Sequence, residues 1–259
     1  MDEAKELHKR VINKFKKRRI ITYGIDHIWA ADLLIMKKYS KENNGLKYIL
    51  VVIDTFSKYL WLKPVERKLA SHVSSAFQKI LSSTKRRPKF LHVDKGKEFV
   101  NKTFRNLLQT HNITMYHSES KEKSAIAERV NRTVNEKLKL YFEINKNHKW
   151  VTLLPKILKQ YNQNDIHHTI GIPPAKVNKK NEKKILLRMF PLKKFSLNKP
   201  KLTIGDRVRL SKHKSLFENK YSRNWTREIF TVHKIKYTDP ISYVIKDQDD
   251  EIITGAFYT

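Results

Sequence analysis

KFLHVDKGKEFVNKTFRNLLQTHNITMYHSESKEKSAIAERVNRTVNEKL, residues 89–138, is the stretch that decides the fold. KFLHVD (Lys89–Asp94) is a short apolar run that ends in a carboxylate and is followed at once by KGKEFVN. TFRNLLQT then has helical spacing, ITMYHS (Ile113–Ser118) reads as another strand, and ESKEKSA is a polar loop without glycine. That loop delivers Glu128 into AERVNRTVNEKLKLYF, where Val130, Val134 and Leu138 recur at the period of one helix face. From 94 to 128 is 34 positions, so 33 residues separate an acid at a strand's C-terminal tip from an acid in the first turns of a later helix. Open α/β sheets bind ligands beyond the carboxyl ends of their strands, so the two acids have a place to converge.

Toward the N-terminus the pattern completes a sheet. HIWAADLLIM (His27–Met36) is apolar with one carboxylate, Asp32, in its middle, and a buried strand does not carry a charge unless that charge is paired or binds metal. Asn43-Asn44-Gly45 is a hairpin signal, and YILVVID behind it is the continuous apolar run of a central strand. SKYLWLKPV (Ser57–Val65) is a third strand that Pro64 brings toward its end. Ala70, Val73, Phe77, Ile80 and Leu81 then mark one buried helix face, and Arg86-Arg87-Pro88 breaks it before the Lys89 strand. Three strands followed by a helix predict an α/β layer with an antiparallel portion.

Toward the C-terminus, WVTLLPKILKQYNQNDIH (Trp150–His167) is a helical pattern interrupted by Pro155, and GIPPAKV closes the region. The basic stretch 179–200 reads as a linker or bridging helix, and the tail 201–259 changes to strand alternation. KLTIGDRVRL, REIFTVHKI and SYVIKDQDDEII are three strand candidates, about the content of a small barrel. At the other end, Ala4, Leu7, Val11 and Phe15 lie near helical spacing before Lys16-Lys17-Arg18-Arg19, so residues 1–22 form a basic arm. That arm suits a DNA surface, a nuclear-import patch or a solvated linker, and the nuclear location is the expectation.

Composition narrows the chemistry. The chain has no cysteine, which excludes disulfides and any zinc site with Cys ligands. His167-His168 is the only adjacent pair among 11 histidines, and it reads as a surface loop. The longest apolar run, YILVVI, is far short of the roughly 20 residues of a spanning helix, so no membrane partner is expected. Fifty-five Lys plus Arg against 25 Asp plus Glu give a formal charge of +30, which makes a polyanion such as DNA the first partner to consider. A Lys-favouring genome would account for some of these lysines, though not for acids at the tips of a sheet.

Asp32, Asp94 and Glu128 are therefore the candidate catalytic and metal-binding set. With oxygen-only ligands they suit Mg²⁺ or Mn²⁺, and two such ions about 4 Å apart serve phosphodiester chemistry. Asp26, Asp54 and Glu98 also lie near strand ends, and pattern alone does not exclude Asp54. On the long helix, Glu128, Arg132, Asn135 and Lys139 form a second stripe, whose bland reading is a solvated salt-bridge face.

WAADLLIM, IDTFSKYLW, HVDKGKEFVN and AERVNRTVNEKL, in that order, resemble the catalytic core of retroviral-type integrases. GIDHIWAADLLIM, DKGKEFVN and the tail blocks GDRVRL, YSRNWTREIF and GAFYT are most similar to integrases of Maverick/Polinton DNA transposons and related transposon-derived proteins. The resemblance implies an RNase H-like α/β core over residues 23–178, with a mixed five-stranded sheet and flanking helices, followed by a small SH3-like DNA-binding β-barrel over 201–259. It places the family's Asp-Asp-Glu triad on Asp32, Asp94 and Glu128 and leaves Asp54 structural. Lys95 stands where many relatives have Asn. The His-His-Cys-Cys zinc module of retroviral relatives is not expected, and the ending at GAFYT implies a truncated last strand.

The resemblance further implies metal-dependent trimming of a DNA 3′ end, then attack of the freed hydroxyl on a target phosphodiester. Lys95, Lys97, Lys121, Lys123, Arg132 and Lys139 are the expected phosphate contacts, and a homo-oligomer assembled on DNA ends is the expected state. Two rival readings stay open: a catalytically inactive, transposon-derived DNA-binding protein, and a metal-dependent nuclease that cuts without joining.

Overall fold

YILVVID is buried at every one of its seven positions, and the sheet is built around it and its neighbour. The computed structural model describes residues 2–11, 20–117, 125–191, 199–212, 222–238 and 240–259. Helix α1 (Asp2–His8) belongs to one unit, Met1–Ile20 with Lys194–Thr259, and residues Ile21–Lys193 form the other.

In the larger unit, β1 (Ile28–Ile35), β2 (Tyr48–Asp54) and β3 (Leu60–Val65) form an antiparallel meander. The connection from β1 to β2 closes where Asn44 and Gly45 adopt left-handed backbone, with φ of 53° and 77°. After helix α2 (Ala70–Ser82), strand β4 (Phe90–Val93) joins the other side of β1 in parallel. Helix α3 (Lys102–Thr110) then returns the chain to β5 (Thr114–His117), parallel to β4, and the strand order is β3-β2-β1-β4-β5. The antiparallel portion matches the expectation from the pattern, and the mixed five-stranded sheet matches what the resemblance implies.

Alternation in β1 and β2 gives the sheet two buried faces. Trp29, Ala31, Leu50 and Val52 pack with Val73, Phe77, Ile80 and Leu81 of α2 and Phe104 and Leu108 of α3. Ala30, Leu34, Ile49, Val51 and Ile53 pack on the opposite face with Val130, Val134 and Leu138 of α4 (Ala125–Asn145) and with Leu154 and Ile157 of α5 (Leu154–Lys159). Pro155 does not interrupt a helix. It sits in the first turn of α5, where its missing N–H leaves no intrahelical bond unmade. Helix α6 (Glu182–Met189) falls inside the stretch read as a linker or bridging helix, and its Ile185 is buried with Phe56 and Ile170.

The smaller unit holds a four-stranded antiparallel sheet, β6 (Arg207–Val208), β7 (Phe230–Lys236), β8 (Ser242–Lys246) and β9 (Ile252–Phe257), in sequence order. The single run SYVIKDQDDEII is thus two strands, because Asp250 takes left-handed backbone (φ 62°) and turns the chain. The N-terminal helix is held, within this unit, by the segments before β7 and after β6. The Leu7 carbonyl accepts from Asn224 N at 2.8 Å and Trp225 N at 3.2 Å, and the Trp225 indole donates to the Lys9 carbonyl at 2.8 Å. Leu7 is buried, and Arg209 pairs with Glu6 at 3.3 Å and Glu3 at 3.8 Å. The Lys16–Arg19 run lies outside the described residues.

Candidate active site

Each acid's surroundings follow from the strand that carries it. The parallel ladder between β1 and β4 ends with Ala31 opposite Val93, so Asp32 and Asp94 occupy the next position on adjacent strands. Asp32 is half-buried, and its carboxylate accepts from Leu33 N at 2.8 Å and from the Asn131 side-chain amide at 2.7 Å. Asn131 is on α4, one turn after Glu128, so the helix turn bearing Glu128 is the turn that reaches Asp32. Glu128 itself is exposed.

The three carboxylates were expected to meet within a few ångströms. Among the described residues, no three His, Cys, Asp or Glu side chains gather into a group that would hold an ion. Like charges brought together repel, and here Asp32 is satisfied by amide donors instead. The donor set nevertheless fits a hard divalent ion, because every candidate ligand is a carboxylate oxygen. Asn131 Oδ1 adds to that fit: it is buried and has no hydrogen-bond partner among the described residues. Sequence reasoning passed over Asn131. Its position three residues after Glu128 was the available signal.

The remaining strand-end acids are neutralised. Asp54 is fully buried, and it accepts from Phe56 N, Ser57 N and Ser57 Oγ while Arg86 Nη2 stands 2.5 Å away. Burial raises its pKa, opposed by Arg86, Ser57 and Phe56. The same guanidinium pairs with Asp26 at 2.7 Å and lies over the rings of Tyr59 and Trp61. Glu98, 8 % exposed, pairs with the Lys68 ammonium at 3.0 Å. Neither Asp94 nor Glu128 has an ion-pair partner among the described residues.

The loop after Asp94 is tightly built. Phe99 N and Val100 N both donate to the Gly96 carbonyl, and Phe99 is buried. Asn101 caps α3 by accepting from Phe104 N at 2.8 Å, and its amide donates to the carbonyls of Lys97 and Glu98. A Cβ at position 96 would lie 2.5 Å from Glu98 Oε1, so a side chain there would displace the Glu98 carboxylate. Lys95 and Lys97 are exposed on this loop, and Arg132 and Lys139 are exposed on α4. Lys121 and Lys123 lie outside the described residues. Of the histidines, His92 on β4 is buried, which lowers its pKa against the opposing pull of Asp94. The His167 ring packs edge-on against Tyr161 at 4.5 Å.

Residues 22–122 match the family model described as the integrase core domain. A transposon-derived protein of Caenorhabditis elegans is 29% identical over 220 residues, which span 85% of this chain and 73% of that protein. A chain of the simian T-cell lymphotropic virus intasome, solved in complex with PP2A regulatory subunit B56 gamma, has the same fold. It gives a TM-score of 0.68 at 17% identity, over 96% of this chain and 82% of that one. Over residues 22–122 the chain is similar to retroviral-type integrase cores. The Pol polyprotein of transposon 297 from Drosophila melanogaster is 25% identical over 61% of this chain but only 14% of the polyprotein. The catalytic core domain of HTLV-2 integrase, solved with magnesium as a dimer, shares the integrase-core fold at a TM-score of 0.50 and 21% identity, covering 59% of this chain and 96% of that one.

Proposed function

We propose that the protein is a metal-dependent polynucleotidyl transferase that trims DNA 3′ ends and joins them to target DNA. The observation that carries this reading is the sorting of the strand-end acids. Asp26, Asp54 and Glu98 are bound to cations, while Asp32 and Asp94 take the next positions past the paired part of β1 and β4, with the Glu128 turn joined to Asp32 through Asn131. Asp32, Asp94 and Glu128 would hold a pair of Mg²⁺ or Mn²⁺ ions. When bound, these ions neutralise charge at the scissile phosphate and ease deprotonation of the attacking hydroxyl.

The chain's own residues then bind and orient. Exposed Lys95, Lys97, Arg132 and Lys139, with Lys121 and Lys123, take the DNA phosphates flanking the reacting one. Water first displaces a 3′-oxygen and frees a terminal hydroxyl. That hydroxyl next forms a new bond to a target phosphorus as the target's own 3′-oxygen leaves. The four-stranded sheet, read as an SH3-like module, offers a second DNA surface, and homo-oligomers form on DNA ends. HTLV-2 integrase, which was solved with magnesium, and the simian viral intasome support the metal and the assembly. Kinship with Maverick/Polinton transposon integrases and a nuclear location complete the proposal.

A strand-transfer assay with a pre-trimmed DNA end and Mg²⁺ or Mn²⁺ tests it. Joined product that disappears in Asp94→Asn is expected. Cutting without joining would make the protein a nuclease, and binding without either reaction would make it an inactive DNA-binding protein.

A further inference from the structure

Glu98 is a nearly buried carboxylate, and the one cation on it among the described residues comes from a loop 30 positions earlier in the chain. Burying a charge against a single partner is a poor source of stability, so its consequence for position matters more. β1 is antiparallel to β2, and β2 to β3, while β4 is parallel to β1. Strands β1, β3 and β4 therefore run the same way, and their C-terminal ends share one edge of the sheet. Lys68 lies three residues beyond the end of β3, and Glu98 five beyond the end of β4. Their 3.0 Å contact spans that edge past β2 and β1, the strand that carries Asp32.

Inside the loop, the Glu98 carboxylate lies against the Gly96 backbone, and the Glu98 carbonyl is held by Asn101. Pulling on Glu98 thus pulls on the whole turn that begins at Asp94. The turn is fixed at its far end by the α3 cap and packed in its middle by Phe99. At Glu98 the Lys68 ammonium supplies a further restraint.

We propose that the Lys68–Glu98 ion pair is a positioning device that holds the Asp94 loop in register with Asp32. The inference rests on reading this edge as a divalent-ion site. Groups that orient ion ligands without touching the ion are worth about 10–100-fold in affinity, and the low end of that range is expected here.

Mn²⁺ titration of the full chain, followed by electron paramagnetic resonance of the free ion, tests it without any reaction. Uptake by the unaltered protein that is lost in Asp94→Asn is the first requirement, and its failure would remove the ion-site reading itself. The double variant Lys68→Met, Glu98→Gln leaves the net charge unchanged and strands no charge, so Coulomb effects at a distance cancel. Mn²⁺ affinity about tenfold weaker in this variant is expected, with melting that shows a folded protein. Lys68→Arg, which keeps the pair, is expected to bind within about twofold of the unaltered protein. Unaltered affinity in the double variant would overturn the proposal. So would tighter binding in Lys68→Met alone, the result expected if the lysine merely repelled the ion.

Discussion

Replacing Arg86 by Met tests whether Asp54 is a structural acid, because it removes the cation and keeps most of the aliphatic volume. Asp54 is fully buried and Arg86 is 23% exposed, which puts the pair toward the buried limit. Removing one partner of such a pair costs about 3–5 kcal/mol. The three donors from Phe56 and Ser57 stay in place and favour the low end, while losing the contacts to Tyr59 and Trp61 adds about 0.5–1 kcal/mol. A loss near 3–4 kcal/mol corresponds, for a unit of roughly 170 residues, to a melting point lowered by about 10 °C. The loss also depends on pH in a defined direction. Burial already raises the Asp54 pKa above its ordinary value, and removing Arg86 raises it further. The folded variant then holds a proton that the unfolded chain releases. Its stability is highest below the unfolded pKa and falls as pH rises through the folded one, by up to about 1.4 kcal/mol per unit. Urea melts at pH 5 and pH 8 read both effects. A loss under about 1 kcal/mol, or one equal at the two pH values, would refute the assignment of Asp54 as a buried, Arg-paired acid.

Asp94→Asn is expected to abolish metal-dependent cleavage and joining, while a filter-binding titration shows DNA affinity unchanged or slightly higher, since the side chain keeps its shape and loses only charge. DNA binding itself should fall roughly 10³–10⁵-fold between about 50 and 200 mM salt if 6–10 phosphates are contacted; a flat response in the same titration would detach the +30 charge from DNA. Leu7→Ala should destabilise the C-terminal sheet by about 2–5 kcal/mol, seen as a lower melting point. Asn131→Ala should leave the fold intact and reduce metal-dependent activity by about tenfold or more in the joining assay.

What the sequence disclosed, and what it did not, divides by distance along the chain. YILVVID, the α2 face and the Val130–Leu138 face are local periodicities, and each forms the element that its period predicts. Asp32 and Asp94 could be singled out because a charge inside or at the tip of an apolar strand is conspicuous. Arg86 was legible only as a helix breaker, because its partners Asp26 and Asp54 stand 60 and 32 positions away. The docking of α1 was hidden for the same reason: Leu7 meets Asn224 and Trp225, at the other end of the chain. Asn131 was missed because its one mark in the sequence, a place three residues after Glu128, does not point to a partner 99 positions away.

The topology of the larger sheet also bears on how the chain reaches its native state. Ile35 pairs with Tyr48 across a short hairpin, whereas Ile28 pairs with Phe90 across 62 positions. Closing the longer segment costs more chain entropy before any contact rewards it, so non-local pairing is the slow step in sheets of this kind. The β1–β2–β3 meander is therefore expected to nucleate folding, with β4 and β5 adding later. Substitutions in the meander should slow refolding, and those in β4 should chiefly speed unfolding. Asp32 and Asp94 lie on opposite sides of that kinetic divide. A chain stalled after the meander would have a folded half-sheet and only one of its two strand-borne acids in place.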